Sequence, residues 1–129
     1  MAKYTKLNLK EVEDQAPKFG MEGLEFRTAR DPLELENAAA SYLRLDPTFR
    51  MPFGHKHQQQ EELYVLLSGS ARIRLDDEVL ELKPFDAVRI AKETMRNLEA
   101  GPDGAELILF GAPNAGSGDA SVTQGWWTD

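Results

Sequence analysis

The sequence predicts an all-β domain, an antiparallel sandwich or barrel, on three observations. From Glu62 onward, short runs of aliphatic and β-branched residues recur at regular spacing. Clusters of Gly, Pro and Asp separate them, and these are turn formers. Several runs alternate apolar and polar residues, the period of a strand with one buried face. The 129 residues suffice for one domain with its own core. We read 1–129 as a single unit, with a short polar N-terminal arm over 1–22, a barrel core over about 23–113 and a tail over 114–129.

The arm is polar and ends at "PKFG", ahead of the core. "GLEFRTA" alternates Leu24, Phe26 and Thr28 against Glu25, Arg27 and Ala29, a strand signal. "DPLELEN" opens with Asp31 and Pro32, a good helix start, and predicts a short helix. Ala40 to Leu45 alternates like a strand. "ELYVLLSG" predicts a strand stopping at Gly69, and "SARIRL" sets Ala71, Ile73 and Leu75 on one face. "DDE" reads as a hairpin turn answered by "VLELKP". "AVRI" and "MRNLEA" follow, "GPDG" reads as a turn, and "AELILFGAP" as an apolar strand. The tail "NAGSGDASVTQG" is loop-like, and Trp126 and Trp127 are expected to cap the barrel or a dimer surface.

Composition excludes several functions. There is no cysteine, so disulfides, thiolate metal sites and cysteine nucleophiles are ruled out. A net charge of -7 without clustered Lys/Arg argues against a nucleic-acid partner. The first residues lack a signal-peptide apolar core and no run approaches a membrane span, so the expectation is a cytoplasmic protein without a membrane partner. No nucleophile elbow, His-Glu-x-x-His helix or Walker loop is present.

The chemistry concentrates in "GHKHQQQEELYVLLSG". It holds both histidines of the chain, His55 and His57, two residues apart. On a strand that spacing points both imidazoles to one face. Glu62 follows after a stretch short enough for a tight bend to carry its carboxylate back toward them. Two imidazoles and a carboxylate converging on one point form a competent transition-metal site. The plain alternative is a histidine pair that hydrogen-bonds to its surroundings. Tyr64 shares the strand parity of Glu62 and either lines the pocket or packs. Arg44 either faces the cavity or is solvated, and Met51 and Phe53 suit an apolar rim or the core.

This run resembles the first motif of the cupin superfamily: His-x-His, four residues, Glu, six residues, Gly. His55, His57, Glu62 and Gly69 fall on its four positions, which leaves Glu61 as the spare carboxylate. Phe49 stands where the motif has an upstream glycine. The chain resembles small single-domain bacterial cupins, which implies a jelly-roll β-barrel of six to eight strands with the pocket inside. In the second motif, "FDAVRIAKETMRNLEA" retains Asp86; Ala91 replaces the proline, Glu93 the glycine, Arg96 the histidine and Ala100 the asparagine.

A guanidinium has no lone pair to offer, so Arg96 is not a ligand. Three arrangements follow. Arg96 pairs with Glu62 and stands in for a metal, or it holds an anionic substrate beside a three-ligand site, or it points to solvent. The site residues are therefore His55, His57 and Glu62 for a divalent transition metal (Fe, Ni, Zn or Mn), with Arg96 and Tyr64 for substrate. The functions left open are a metal-dependent enzyme on an anionic small molecule, a metal-free binding or sensing module, and a structural dimer. The apolar "AELILF" run and the edge strands favour a homodimer.

Overall fold

The structure, a computed structural model, describes residues 3–116 and 118–128. Eight strands are joined in one curled antiparallel sheet: β1 (Leu24–Thr28), β2 (Ala39–Leu45), β3 (Phe53–His57), β4 (Glu61–Leu75), β5 (Glu78–Leu82), β6 (Ala87–Ile90), β7 (Arg96–Ala112) and β8 (Ala120–Gln124). The all-β jelly roll expected from the sequence is the observed fold. Among the described residues no helix is long and apolar enough to cross a membrane.

Two long strands organise everything else. β4 and β7 pair along nearly their whole length, but each half has different outer neighbours. Toward the end of β7, Ala105 to Gly111 pairs with β2, and the matching half of β4 pairs with β6 through Glu62 to Val65. At the other half, Arg96 of β7 meets His55 of β3, and Ala71 to Leu75 of β4 pairs with β5. The sheet thus folds over into two facing layers. Leu43, Tyr64, Leu66 and Leu107 of one layer and Ile73, Leu82 and Leu98 of the other are buried in a single core cluster.

The corner between the layers is built on glycine. Register slips occur between Leu66 and Ser68 and between Gly69 and Ala71. Gly69 pairs with Ala105, whereas Ala71 pairs with Ala100, so Gly101 to Gly104 bulge out of β7. Gly69 and Gly104 both have φ +79, a left-handed conformation that glycine adopts without strain. A Cβ on Gly69 would lie 2.0 Å from the Gly104 carbonyl oxygen.

Four expectations need correction. "GPDG" is a bulge inside β7 rather than a turn between two strands, because β4 continues past Gly69 and keeps pairing on both sides of it. No helix forms over "DPLELEN": Glu34 at φ 59 breaks the ladder after a single turn. The tail contains β8, which has no buried residue to announce it and exists by pairing with β3. The Gly-Ser-Gly run includes Ser117, which with Met1, Ala2 and Asp129 lies outside the described residues. The arm, finally, is part of the packing. It carries short 3-10 turns at Leu9–Glu11 and Ala16–Phe19, buries Val12 and Ala16, and is tied to β1 by Phe26 N donating to Asp14 Oδ1 at 2.9 Å and Gln15 N donating to Phe26 O at 2.7 Å.

Trp126 and Trp127 fold back on the barrel. Trp127 is buried, with the Arg50 guanidinium 4.2 Å and that of Arg72 5.3 Å from its ring, while Arg74 stacks 4.2 Å over Trp126. Arg50 and Arg72 share Glu99 at 2.7 and 2.6 Å, so each cation also has an anion. These contacts hold the chain end beyond β8 in place.

The corner makes a direct prediction. Gly69→Ala combines a left-handed backbone with a backbone clash, so it is expected to lower stability by more than about 2 kcal/mol. Urea unfolding of the two proteins measures this; equal midpoints would mean that the corner does not confine Gly69 to this conformation and close contact.

Candidate metal centre

β3 lies between β7 and β8, and its alternation sends His55 and His57 to the same side. Gln58 to Gln60 then turn the chain into β4. Along β4, Glu62, Tyr64 and Leu66 point inward while Glu61 points out, where its carboxylate pairs with Arg89 at 3.1 Å. The choice of Glu62 over Glu61 by residue spacing agrees with this orientation. The tight bend thus brings a carboxylate from one layer to two imidazoles on the other.

One oxygen is the meeting point. Glu62 Oε1 lies 3.4 Å from His55 Nε2, 3.2 Å from His57 Nε2 and 3.3 Å from the Tyr64 hydroxyl, which donates to it. Nη1 of Arg96 also donates to this oxygen. One ligand atom from each of His55, His57 and Glu62 falls within 4.8 Å of the others, the span of a metal-binding set. The side chains of Glu62 and His57 are each 11% exposed and that of His55 23%, so solvent reaches the cluster from the His55 side.

Arg96 faces inward. It sits opposite His55 in the register of β3 and β7 and is 1% exposed, the bulkiest fully buried side chain described. Its Nε donates to Thr94 O at 3.1 Å, and Nη2 donates to Ala91 O at 3.0 Å and Thr94 O at 2.8 Å. The loop between β6 and β7 therefore turns its carbonyls inward and grips the guanidinium from behind. Of the three arrangements open to Arg96, the structure has the Glu62 pair. A buried cation needs such an anion, because removing either partner strands the other charge in a medium that solvates it poorly.

His57 is held from its other side. Its Nδ1 lies 3.0 Å from Asp119 Oδ2, and Asp119 also accepts from Gln59 N at 2.9 Å and Gln60 N at 3.1 Å. An ionised carboxylate only accepts, so Nδ1 carries the proton and Nε2 of the neutral ring presents its lone pair. That Nε2 is the buried side-chain nitrogen or oxygen that, among the described residues, makes no hydrogen bond, although Glu62 Oε1 is 3.2 Å away. Two acceptors facing each other at that distance favour a positive group between them, a proton or a metal ion. The donor set therefore fits a divalent ion, with Arg96 as a competing charge on the same oxygen.

Titration follows the same geometry. Burial opposes the charge on Glu62, but the two imidazoles and Arg96 outweigh it and hold the carboxyl well below the usual carboxylate range. Burial likewise disfavours charged His57, yet Glu62 and Asp119 raise its pKa above the ordinary value. Burial, with the Glu62 charge beside it, pushes the Tyr64 phenol up, so it remains a neutral donor.

Asp119 is the residue that sequence reasoning missed. It sits 62 positions from His57 in a glycine-rich stretch, where only the pairing of β8 with β3 reveals the contact. Of the other candidates, Phe53 borders the site, its ring 6.5 Å from that of His55, and Met51 packs on the core. Arg44 points away and pairs with Glu25 and Asp46. A cavity of about 710 Å³ is lined by Thr48, Ser70, Arg72, Glu99 and neighbours, near the glycine corner rather than the histidines.

No protein-family model matches the chain, and no curated protein is significantly similar. Solved structures are. A cupin protein from Bacteroides fragilis is 30% identical over 91% of this chain and 89% of that one, with a TM-score of 0.73. Oxalate decarboxylase from Bacillus subtilis is 21% identical with a TM-score of 0.76; 96% of this chain aligns with 32% of that one, so this chain spans about a third of its length. KdgF from Halomonas sp. is 20% identical over 73% of this chain and 84% of that one, with a TM-score of 0.60. The last two share the fold; the first, at its identity and coverage, shows the family. With the jelly-roll corner at Gly69 and the His55–His57–Glu62 cluster on the page, the chain belongs to the cupin superfamily.

Proposed function

We propose that this cupin binds a divalent transition metal through Nε2 of His55, Nε2 of His57 and the Glu62 carboxylate, and uses it on a small anionic molecule. The observation that carries the reading is the buried Nε2 of His57, without a hydrogen bond and aimed at Glu62. Charge supports the anionic ligand. Glu62 and Asp119 contribute two negative charges and Arg96 one positive, so a divalent ion leaves the cluster with a net positive charge that an anion neutralises. When bound, such an ion supplies a Lewis acid or a redox centre. The residues of the chain do the rest. Asp119 holds His57, Arg96 keeps Glu62 ionised, and Tyr64 donates to the same carboxylate from the core side. The more exposed His55 borders the side from which a ligand enters.

A second reading has its own observation, the Arg96–Glu62 pair. In it the protein is a metal-free binding or sensing module, and the pair does the work of the metal. Arg96 reaches an anionic ligand through Nη1, beside Glu62 or in its place, because Nε and Nη2 are held by backbone carbonyls.

Metal analysis of protein purified without a histidine tag separates the two. The first reading expects about one transition metal per chain, and none after His55→Ala/His57→Ala with the β-fold retained. Stoichiometric metal in the double variant would place the ion elsewhere, and no metal in the parent protein would favour the second reading.

Arg96→His removes a positive charge and adds a donor, and both changes favour a divalent ion. At ~5 Å and an effective dielectric of ~20 the repulsion between the guanidinium and a divalent ion is about 7 kcal/mol before the nearby carboxylates offset it. We expect Zn(II) or Ni(II) to bind at least about tenfold tighter by titration calorimetry. Equal affinities would mean that the Arg96 charge does not act on the site.

The pH dependence has opposite signs with and without metal. Raised in the fold, the His57 pKa gives the metal-free protein a stabilising contribution that is complete below about pH 6.5 and lost as pH rises through the folded value. Metal must displace that same proton, while Glu62 stays ionised throughout. Ni(II) is therefore expected to raise Tm more at about pH 8 than at about pH 5.5. A constant shift across this range would exclude His57 as a principal ligand.

A further inference from the structure

We infer that Asp119 is a positioning residue for His57: from the bend just before β8, it sets which ring nitrogen faces Glu62 and thereby presets the site for a cation. The inference rests on the proposed metal reading for its consequence, though not for its geometry.

That geometry is a complete carboxylate cradle. Asp119 immediately precedes β8, which is held on the outer edge of β3 in the register His57 to Ala120. Its side chain is 4% exposed and both oxygens are used. Oδ1 accepts from Gln59 N, while Oδ2 accepts from Gln60 N and lies 3.0 Å from His57 Nδ1. The Asp119 carbonyl accepts from Gln58 N at 3.0 Å. The turn that brings Glu62 back to the histidines is thus wrapped around this one residue. A carboxylate has no proton to give, so the ring donates from Nδ1 and, when neutral, carries its lone pair on Nε2. Among the described residues Nε2 is the buried side-chain nitrogen that makes no hydrogen bond, 3.2 Å from Glu62 Oε1.

A free neutral imidazole carries its proton on either nitrogen. Fixing it on Nδ1 removes the need to select the competent form when a cation arrives, and it locks the ring plane as well. Carboxylate partners behind metal-binding imidazoles typically contribute about 10- to 100-fold in affinity. The chain end completes the device. Trp126 and Trp127, stacked on Arg74, Arg50 and Arg72, anchor the segment that follows β8, while β8 itself pairs with β3 from the pair of His57 with Ala120 onward.

The test compares the full chain with Asp119→Ala by two readouts. The first is the nitrogen-15 spectrum of the metal-free protein at a pH high enough that the His57 ring carries a single proton. With only 2 histidines, each ring is assigned by substituting the other. The second is the Kd of Ni(II) alone, by competition with a chelator. We expect His57 to be protonated on Nδ1 in the parent protein, and Asp119→Ala to show a mixture of tautomers with Ni(II) bound about 10- to 100-fold more weakly. An unchanged tautomer in Asp119→Ala overturns the inference. So does an unchanged Kd. Should Ni(II) bind neither protein, the metal reading fails, and the tautomer alone decides whether Asp119 positions His57. If Asp119→Ala does not fold, Asp119→Asn, which keeps the shape but brings an amide donor, is read in the same two ways.

Discussion

A single carboxylate oxygen, Oε1 of Glu62, is the constraint on which the rest of the site depends. Two imidazoles, a phenol hydroxyl and a guanidinium converge on it from three strands. None of these groups tolerates burial alone. Arg96 would be an uncompensated cation at 1% exposure, and Glu62 an uncompensated anion. Together they satisfy one another, and their mutual need explains why the β6–β7 loop turns its carbonyls toward Arg96 and why β3 must lie where His55 faces it. The two layers of the barrel are held together at this end by charge and at the other by the glycine corner.

The same convergence defines what the site can do. A divalent ion and the guanidinium compete for Glu62, and the His57 lone pair is the contribution that only the ion or a proton uses. Whether a cupin with arginine at this position holds metal is therefore a question of balance between a few charges within hydrogen-bonding distance. Asp119 shifts that balance toward a cation without touching it, by adding negative charge behind His57 and fixing its proton. In the proposed metal reading, Arg96 and Asp119 share a tuning that a third histidine, as fourth ligand, would perform by direct ligation.

Much of this could be read in the sequence, for identifiable reasons. The His55–His57 pair and Glu62 are close in sequence, so strand alternation and one short turn suffice to bring them together. Alternation also found the inward face of β4 beyond Gly69, and the six-residue spacing to Gly69 set Glu61 aside. Arg96 could be placed by motif alignment, but its direction depends on the backbone carbonyls of Ala91 and Thr94, which leave no trace in residue identity. Glycine and proline misled at Gly101 to Gly104, because a large bulge and a turn use the same residues, and only the continuous pairing of β4 tells them apart. Asp31 and Pro32 gave a helix start that Glu34 cuts short. β8 and Asp119 were invisible because an edge strand with no buried side chain has no apolar pattern, and its partner is distant in sequence.

The central claim is that His55, His57 and Glu62 form one cation site whose carboxylate is shared with Arg96. Anomalous diffraction from crystals grown with Zn(II) at neutral pH tests it most directly. The account predicts one strong peak about 2.0–2.2 Å from Nε2 of both histidines and from a Glu62 oxygen, with Arg96 still bonded to that carboxylate. A well-occupied peak at other residues, or no peak at this cluster with the Arg96–Glu62 pair intact, would contradict it.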